Sequence, residues 1–119
     1  MKTVKPDLDQ EMEYLLCSAF EGGSNYWYRI EDYIYPAGFT DKDFEFPYLE
    51  LPFKGGKIKI TADGEKKIYI LDRKALDKGW IIFRDECARH YADAMCGTAD
   101  ATTGDVFLQC CLFGKIIFG

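Results

Sequence analysis

The chain has 119 residues, which is close to the usual size of one domain, and we expect a single domain over residues 1–119. Hydrophobic residues make up 48% of the chain and aromatic residues 16%, which is enough apolar surface for a core and excludes an intrinsically disordered protein. The formal net charge of −5 argues against generic nucleic-acid binding, because that binding depends on Lys and Arg at phosphates.

The first part of the chain predicts a helix followed by a strand. Apolar residues recur at helical spacing over residues 8–20, at Leu8, Met12, Leu15, Leu16 and Ala19. Asp7 can cap this helix, and Gly22-Gly23 ends it. Residues 24–36 are rich in aromatic and β-branched types and stop at Pro36, a composition that is typical of a strand.

The middle of the chain predicts an irregular connection and then a β-hairpin. Residues 36–56 combine proline, glycine and charged residues, which are typical of loops, but the aromatic segment 44–51 favours a short edge strand. Residues 57–61 alternate polar and apolar side chains, and residues 67–71 form a second strand-like segment on the other side of Asp63-Gly64. This dipeptide between two strand-like segments indicates a two-stranded hairpin.

The last part of the chain predicts two helices and a buried tail. Apolar residues recur every three or four positions over residues 73–96, a stretch that Asp72 opens and Gly97 ends. Thr102-x-x-Asp105 resembles a capping box, and an almost wholly apolar helix follows it up to Gly114. The apolar tail 116–118 is predicted to form a strand or a plug in the core. The element order predicts an α+β fold, a small antiparallel sheet of three to five strands packed by three helices.

Other features indicate the compartment and the cofactor content. The longest uncharged apolar runs are far shorter than the roughly 20 residues that cross a bilayer. Acidic residues from position 7 to position 13 interrupt any apolar export signal. The five cysteines are an odd number and lack paired metal-ligand spacing, which is typical of free thiols. We therefore expect a cytoplasmic protein with no membrane contact, no metal site and no cofactor.

The strongest functional signal is an acidic and aromatic segment in the first half of the chain. Residues 1–53 carry 11 acidic and 4 basic side chains, and nine aromatic residues lie between positions 26 and 48. Aromatic residues are enriched at protein interfaces. The same rings could instead form the sheet side of the core. The predicted partner-binding residues are Trp27, Tyr33, Tyr35, Asp41, Asp43, Phe44, Glu45, Phe46 and Tyr48.

Catalytic signals are weaker. Cys87 and His90 lie three residues apart on a predicted helix, a spacing that could pair a thiol with a base. Cys87 belongs to the apolar stripe of that helix, however, and no third orienting group accompanies the pair, so no catalytic residue is assigned. A small enzyme that uses Cys87, His90 or a carboxylate such as Glu21 or Glu31 remains an alternative.

Two stretches carry a resemblance to known proteins. They are Glu21-Gly22-Gly23-x-x-Tyr26-Trp27 and Thr103-Gly104-Asp105-Val106-x-x-Gln109-x-x-Leu112-Phe113-Gly114. Together they resemble small proteins of bacterial phages and mobile elements, although residues 39–56 are not matched. The resemblance implies an intracellular accessory protein and assigns no catalytic residues.

The preferred hypothesis is therefore a non-enzymatic protein that binds an unidentified host or phage protein through its acidic and aromatic surface. An acidic mimic of nucleic acid that inhibits a defence system is a variant of this hypothesis, and its binding would weaken with salt. A homodimer, paired across a two-fold axis through the hairpin or segment 44–51, is a third class.

Overall fold

The computed structural model describes residues 8–119. This part of the chain contains five α-helices and three strands. In chain order they are α1 (Leu8–Ser18), β1 (Tyr28–Ile34), α2 (Pro47–Glu50), β2 (Lys57–Ala62), β3 (Ile68–Leu71), α3 (Arg73–Glu86), α4 (Ala88–Met95) and α5 (Ala101–Phe113). A π-helical turn (Ala19–Gly23) extends α1, and 3₁₀ turns (Asp41–Asp43 and Leu51–Phe53) flank α2. The predicted α+β class is confirmed.

The three strands form one antiparallel sheet in the order β1-β2-β3. The predicted hairpin is confirmed as β2 and β3, and its turn contains Gly64 in the left-handed conformation. Ile58 and Ile60 on β2 are fully buried, whereas Lys57 on the other face is exposed. This alternation is that of a sheet with one face on the core and the other in water. Strand β1 is shorter than predicted, because residues 24–27 form turns that lead into it.

Helix α5 is the centre of the helical layer, and its residues 103–111 are all buried. It packs against α1 on one side and α3 on the other. A Cβ on Gly104 would lie 2.6 Å from the Leu15 carbonyl oxygen, and one on Gly79 would lie 2.6 Å from the Cys111 Cα. Glycine at these two positions therefore lets backbones approach closely. Gly79 on α3 thus lies directly against α5.

Two predicted elements are wrong in their secondary structure. The single helix predicted over residues 73–96 is divided into α3 and α4 by Cys87, whose backbone (φ −124°, ψ 51°) is not helical. The edge strand predicted over residues 44–51 is instead the helical turn α2, entered through Pro47 at its first position. Proline suits the first turn of a helix because it has no N–H to leave unpaired.

Details of α5 and the tail also differ from the prediction. The capping box of α5 consists of Asp100 and Thr103, so Thr102 and Asp105 do not form one. The α5 helix ends at Gly114, which adopts the left-handed conformation at φ 74°. Residues 116–119 form no strand, and the predicted core plug is wrong for most of the tail, because Ile116 and Ile117 are exposed. Only Phe118 packs inward, where its ring stacks on the Trp27 ring with centroids 5.4 Å apart.

Candidate functional site

The segment between β1 and β2 is held in shape by its own polar groups. The Thr40 side chain accepts a hydrogen bond from the Lys42 backbone N–H (3.3 Å), and the Asp43 carboxylate accepts one from the Thr40 N–H (2.7 Å). These two contacts form a capping box around the turn Asp41–Asp43. The turn is therefore fixed locally even though its side chains are exposed.

Helix α2 is fixed in a similar way by Glu50. Its carboxylate accepts hydrogen bonds from Lys54 Nζ (2.8 Å) and from the Phe46 N–H (2.6 Å). The bond to Lys54, followed by the bond to the Phe46 backbone, lowers the pKa of Glu50 below its usual value. Glu50 is thus committed to the local structure and is not counted with the exposed acidic residues.

Aromatic side chains attach this segment to the core. Phe44 is buried and its ring centroid lies 5.7 Å from that of Tyr35. Tyr48 is half-buried and contacts Phe20 edge to face at 6.0 Å. Leu49 and Leu51 are buried in the same hydrophobic core. The segment is therefore a packed part of the fold.

Two phenylalanines and three carboxylates on this packed segment point to water. Phe39 is 53% exposed and Phe46 is 47% exposed. Asp41, Asp43 and Glu45 are exposed between them in sequence. We call these five residues the acidic aromatic surface. Exposed rings can be covered by the apolar part of a partner, and carboxylates attract cationic groups and steer their approach.

The predicted partner-binding residues therefore separate into three groups. Asp41, Asp43, Glu45 and Phe46 are exposed, while Tyr33, Tyr35 and Tyr48 are half-buried. Trp27 and Phe44 are buried, with Trp27 only 2% exposed, so neither ring is free to contact a partner. Phe39, which the prediction did not include, joins the exposed group. The Trp27 ring faces inward, where its indole N–H donates a hydrogen bond to Asp105 on α5.

Asp105 is the centre of a buried polar network that was not predicted from the sequence. Its Oδ1 accepts hydrogen bonds from the Ser24 hydroxyl (2.7 Å), the Trp27 indole (2.7 Å) and the Gln109 amide (3.1 Å), and its Oδ2 accepts one from the Tyr26 hydroxyl (2.8 Å). All four partners donate, three of them to Oδ1 and one to Oδ2, so the Asp105 side chain acts only as an acceptor in these contacts. The network connects the turn that precedes β1 to α5.

Gln109 extends this network to the tail. Its Oε1 accepts hydrogen bonds from the backbone N–H groups of Ile117 (2.8 Å) and Phe118 (2.9 Å), and its Nε2 donates to the Phe118 carbonyl (2.9 Å). Together with its bond to Asp105, Gln109 uses both amide hydrogens and both lone pairs. The signal for this site was present in the sequence, because Asp105 and Gln109 lie four residues apart in an otherwise apolar helix.

Tyr26 gives the network a dependence on pH. Although 54% of its side chain is exposed, its hydroxyl faces Asp105. Burial of the hydroxyl, followed by the hydrogen bond to Asp105 and the charge of that carboxylate, raises the pKa of Tyr26 to about 12 from 10.0. A raised pKa in the folded state means that the neutral phenol stabilises the fold below pH 10, and that this contribution is lost as the pH rises to about 12.

The ultraviolet absorbance titration of the folded protein should contain a tyrosine that ionises near pH 12, and we assign it to Tyr26. We expect this component to be absent from Tyr26→Phe, because the variant lacks that hydroxyl. Tyr14→Phe is the matched control, since Tyr14 is exposed to a similar degree and should leave the component near pH 12 in place. Loss of the same component from the Tyr14 variant, or no loss from the Tyr26 variant, would contradict the assignment.

The candidate catalytic pair is not assembled. His90 Nδ1 is buried and makes no hydrogen bond, so it does not pair with the Cys87 thiol. The sulfur nearest to Cys87 belongs instead to Cys110, at 3.8 Å. Glu31, another candidate, accepts a hydrogen bond from the Thr61 hydroxyl and lines an open groove of about 580 Å³ at the hairpin end of the sheet.

Comparisons of the chain with protein-family models, curated proteins and solved structures returned no match. The resemblance to phage and mobile-element proteins is therefore a prediction only. Between residues 8 and 119, no His, Cys, Asp and Glu side chains form a group of three or more that could hold a metal ion. No helix within that same range has the length and apolar character needed to span a membrane.

Proposed function

We propose that the protein is a non-enzymatic accessory protein that binds another protein through the acidic aromatic surface. The observation that carries this proposal is the exposure of Phe39 and Phe46, which in the sequence lie on either side of three exposed carboxylates. Single exposed apolar residues are common on protein surfaces, but exposed rings on a segment with a net negative charge fit a partner with both apolar and basic groups.

The rigidity of the segment also supports binding. The capping box at Thr40 and the bonds of Glu50 hold the backbone between the two phenylalanines. Phe44 and Tyr48 pack this backbone on the core. A surface that is ordered before it binds loses less conformational freedom on association, so more of its contact energy is retained as affinity.

The charge of the segment favours a basic partner. Lys42 is the single basic residue among residues 39–46, against Asp41, Asp43 and Glu45. This excess predicts an association that weakens with salt, because exposed charges are screened within about 10 Å at 0.1 M ionic strength. The same charge supports the acidic nucleic-acid mimic as a special case, in which the basic partner is a nucleic-acid-binding protein.

The proposed setting is the cytoplasm of a cell that carries a phage or prophage. The resemblance of the segments around Gly22-Gly23 and Gly104 to phage and mobile-element proteins supports this setting. The neighbouring genes would test it, because phage genes on both sides would agree with the proposal and a metabolic operon would contradict it.

Binding can be tested with three variants of the full chain used as bait in extracts of the source cell. Phe39→Ser/Phe46→Ser removes the rings and should reduce capture of the partner by about tenfold or more, as expected for interface aromatics. Asp41→Asn/Glu45→Gln removes two charges and should reduce both the capture and its salt dependence. Asp43 is left intact because it caps the turn at Thr40.

Ile81→Ser is the matched control, because Ile81 is 51% exposed on α3 and lies outside the acidic aromatic surface. Because the Phe39 and Phe46 rings also contact Phe44 and Tyr48, chemical denaturation should establish that each variant remains folded under the conditions of capture. Equal capture by the wild type and the double phenylalanine variant, or loss of capture with Ile81→Ser alone, would overturn the proposal.

A further inference from the structure

The thiols of Cys87 and Cys110 lie close together, at a point where α3, α4 and α5 meet. Their sulfur atoms lie 3.8 Å apart, although the residues are separated by 22 others in the sequence. Cys87 is the residue between α3 and α4, and Cys110 lies in the buried part of α5. Neither cysteine is in a disulfide, so both thiols are free to react.

The two thiols differ in their access to solvent. Cys87 is half-buried, whereas Cys110 has no exposed surface. Both line a cavity of about 250 Å³ that also includes Glu86 and Lys115 and is open at one side. A small oxidant can therefore reach Cys87 first, with Cys110 directly behind it.

We propose that Cys87 and Cys110 are a redox-modification site at which a hydroperoxide produces an intramolecular disulfide. In the first step the Cys87 sulfur attacks hydrogen peroxide, the O–O bond breaks, and the products are the Cys87 sulfenic acid and water. In the second step the Cys110 sulfur attacks the Cys87 sulfur, and the sulfenic hydroxyl leaves as water with the Cys110 proton. The pair loses two electrons and two protons, and the peroxide is reduced to two molecules of water.

The order of the two steps follows from the surroundings of Cys110. Burial, followed by the proximity of Cys87, raises the pKa of the Cys110 thiol to about 12. Because the thiolate is the reactive form, Cys110 is a poor first nucleophile. Its role is to resolve the sulfenic acid on Cys87, and the rate of ring closure should rise with pH.

The other three cysteines are less suited to this chemistry. Cys111 is buried, and burial raises its pKa well above the usual value. Cys17 donates a hydrogen bond to Glu21, which raises its pKa to about 11. Cys96 is exposed and can be oxidised, but within the described residues it has no close thiol partner.

The test is mild oxidation of the full chain with hydrogen peroxide, followed by intact mass measurement and thiol titration. The protein has five cysteines, and a disulfide should lower the number of titratable thiols by two and the mass by two hydrogens. Trypsin separates residues 85–89, which contain Cys87, from residues 90–115, which contain Cys96, Cys110 and Cys111. The oxidised protein should yield these two peptides joined and separable by a reductant.

Variants assign the partner of Cys87. The joined peptide should persist in Cys96→Ser and Cys111→Ser and disappear in Cys87→Ser and Cys110→Ala. If Cys110→Ala folds poorly, fragmentation of the joined wild-type peptide gives the same assignment. In folded Cys110→Ala, dimedone should label Cys87 at a higher level than in the wild type, because its sulfenic acid is no longer resolved.

Two outcomes would overturn the proposal. One is a joined peptide that persists in Cys110→Ala and is lost in Cys96→Ser or Cys111→Ser. The other is oxidation that adds oxygen to Cys87 in the wild type with no loss of two thiols, since that would show that Cys110 does not reach the sulfenic acid.

Discussion

Replacing Asp105 with alanine is expected to lower the free energy of unfolding by about 4 kcal/mol, because at least two buried donors would lose their acceptor. The carboxylate is 6% exposed and accepts four hydrogen bonds. Without it the hydroxyl of Ser24 and the indole N–H of Trp27 remain buried with no acceptor, and each such donor costs about 1–3 kcal/mol.

Chemical denaturation of three variants checks this prediction. Asp105→Asn keeps the volume of the side chain but replaces one acceptor oxygen with an N–H donor group among other donors, so it should cost about 2–3 kcal/mol. Asp41→Asn is the matched control, because Asp41 is exposed, and it should stay within about 0.5 kcal/mol of the wild type. Equal stabilities of the Asp105 and Asp41 variants would show that the network does not hold the fold.

The Asp105 network marks a limit of what the sequence could predict. Helical periodicity identifies α1, an apolar run that ends at Gly114 identifies α5, and Asp63-Gly64 between two strand-like segments identifies the hairpin, because all three signals are local. The contact between Trp27 and Asp105 joins residues 78 positions apart, so no local pattern contains it. Aromatic density in residues 26–48 therefore could not show that Trp27 faces inward while Phe39 faces water.

Competing local signals explain the two wrong elements. Over residues 44–51 the aromatic side chains favour a strand, but Pro47 starts a helical turn and the Glu50 carboxylate caps it through the Phe46 N–H. At Cys87 the apolar spacing continues across the break between α3 and α4, so periodicity gives no sign of it. Neither glycine nor proline stands at that position to indicate a boundary.

The observed position of the α5 capping box changes the role assigned to Asp105. Asp100 and Thr103 satisfy the first N–H groups of the helix, two residues earlier than Thr102 and Asp105 would have done. Asp105 then lies in the buried stretch, beyond the first turn, where its charge needs partners. A carboxylate within an apolar helix that already has a cap is thus a reason to look for a buried network.

Gly104→Ala is expected to destabilise the protein by about 3 kcal/mol, at the upper end of the usual cost of overpacking a core. A Cβ at this position would lie 2.6 Å from the Leu15 carbonyl oxygen and 2.9 Å from the Ala19 backbone nitrogen, and neither atom belongs to a flexible side chain. Helices α1 and α5 would have to separate. This cost exceeds the roughly 1 kcal/mol that alanine gains over glycine from helix propensity.

Gly22→Ala is the matched control, because a Cβ on Gly22 has no other atom within 4 Å and should leave the stability within about 0.5 kcal/mol of the wild type. Gly79→Ala tests the opposite side of α5, where the added Cβ meets the Cys111 backbone, and it should resemble Gly104→Ala. Denaturant midpoints that are equal for all three variants would mean that α5 can shift without cost. Losses confined to positions 79 and 104 would show that two glycines set the helix spacing, and with it the position from which Asp105 reaches Trp27.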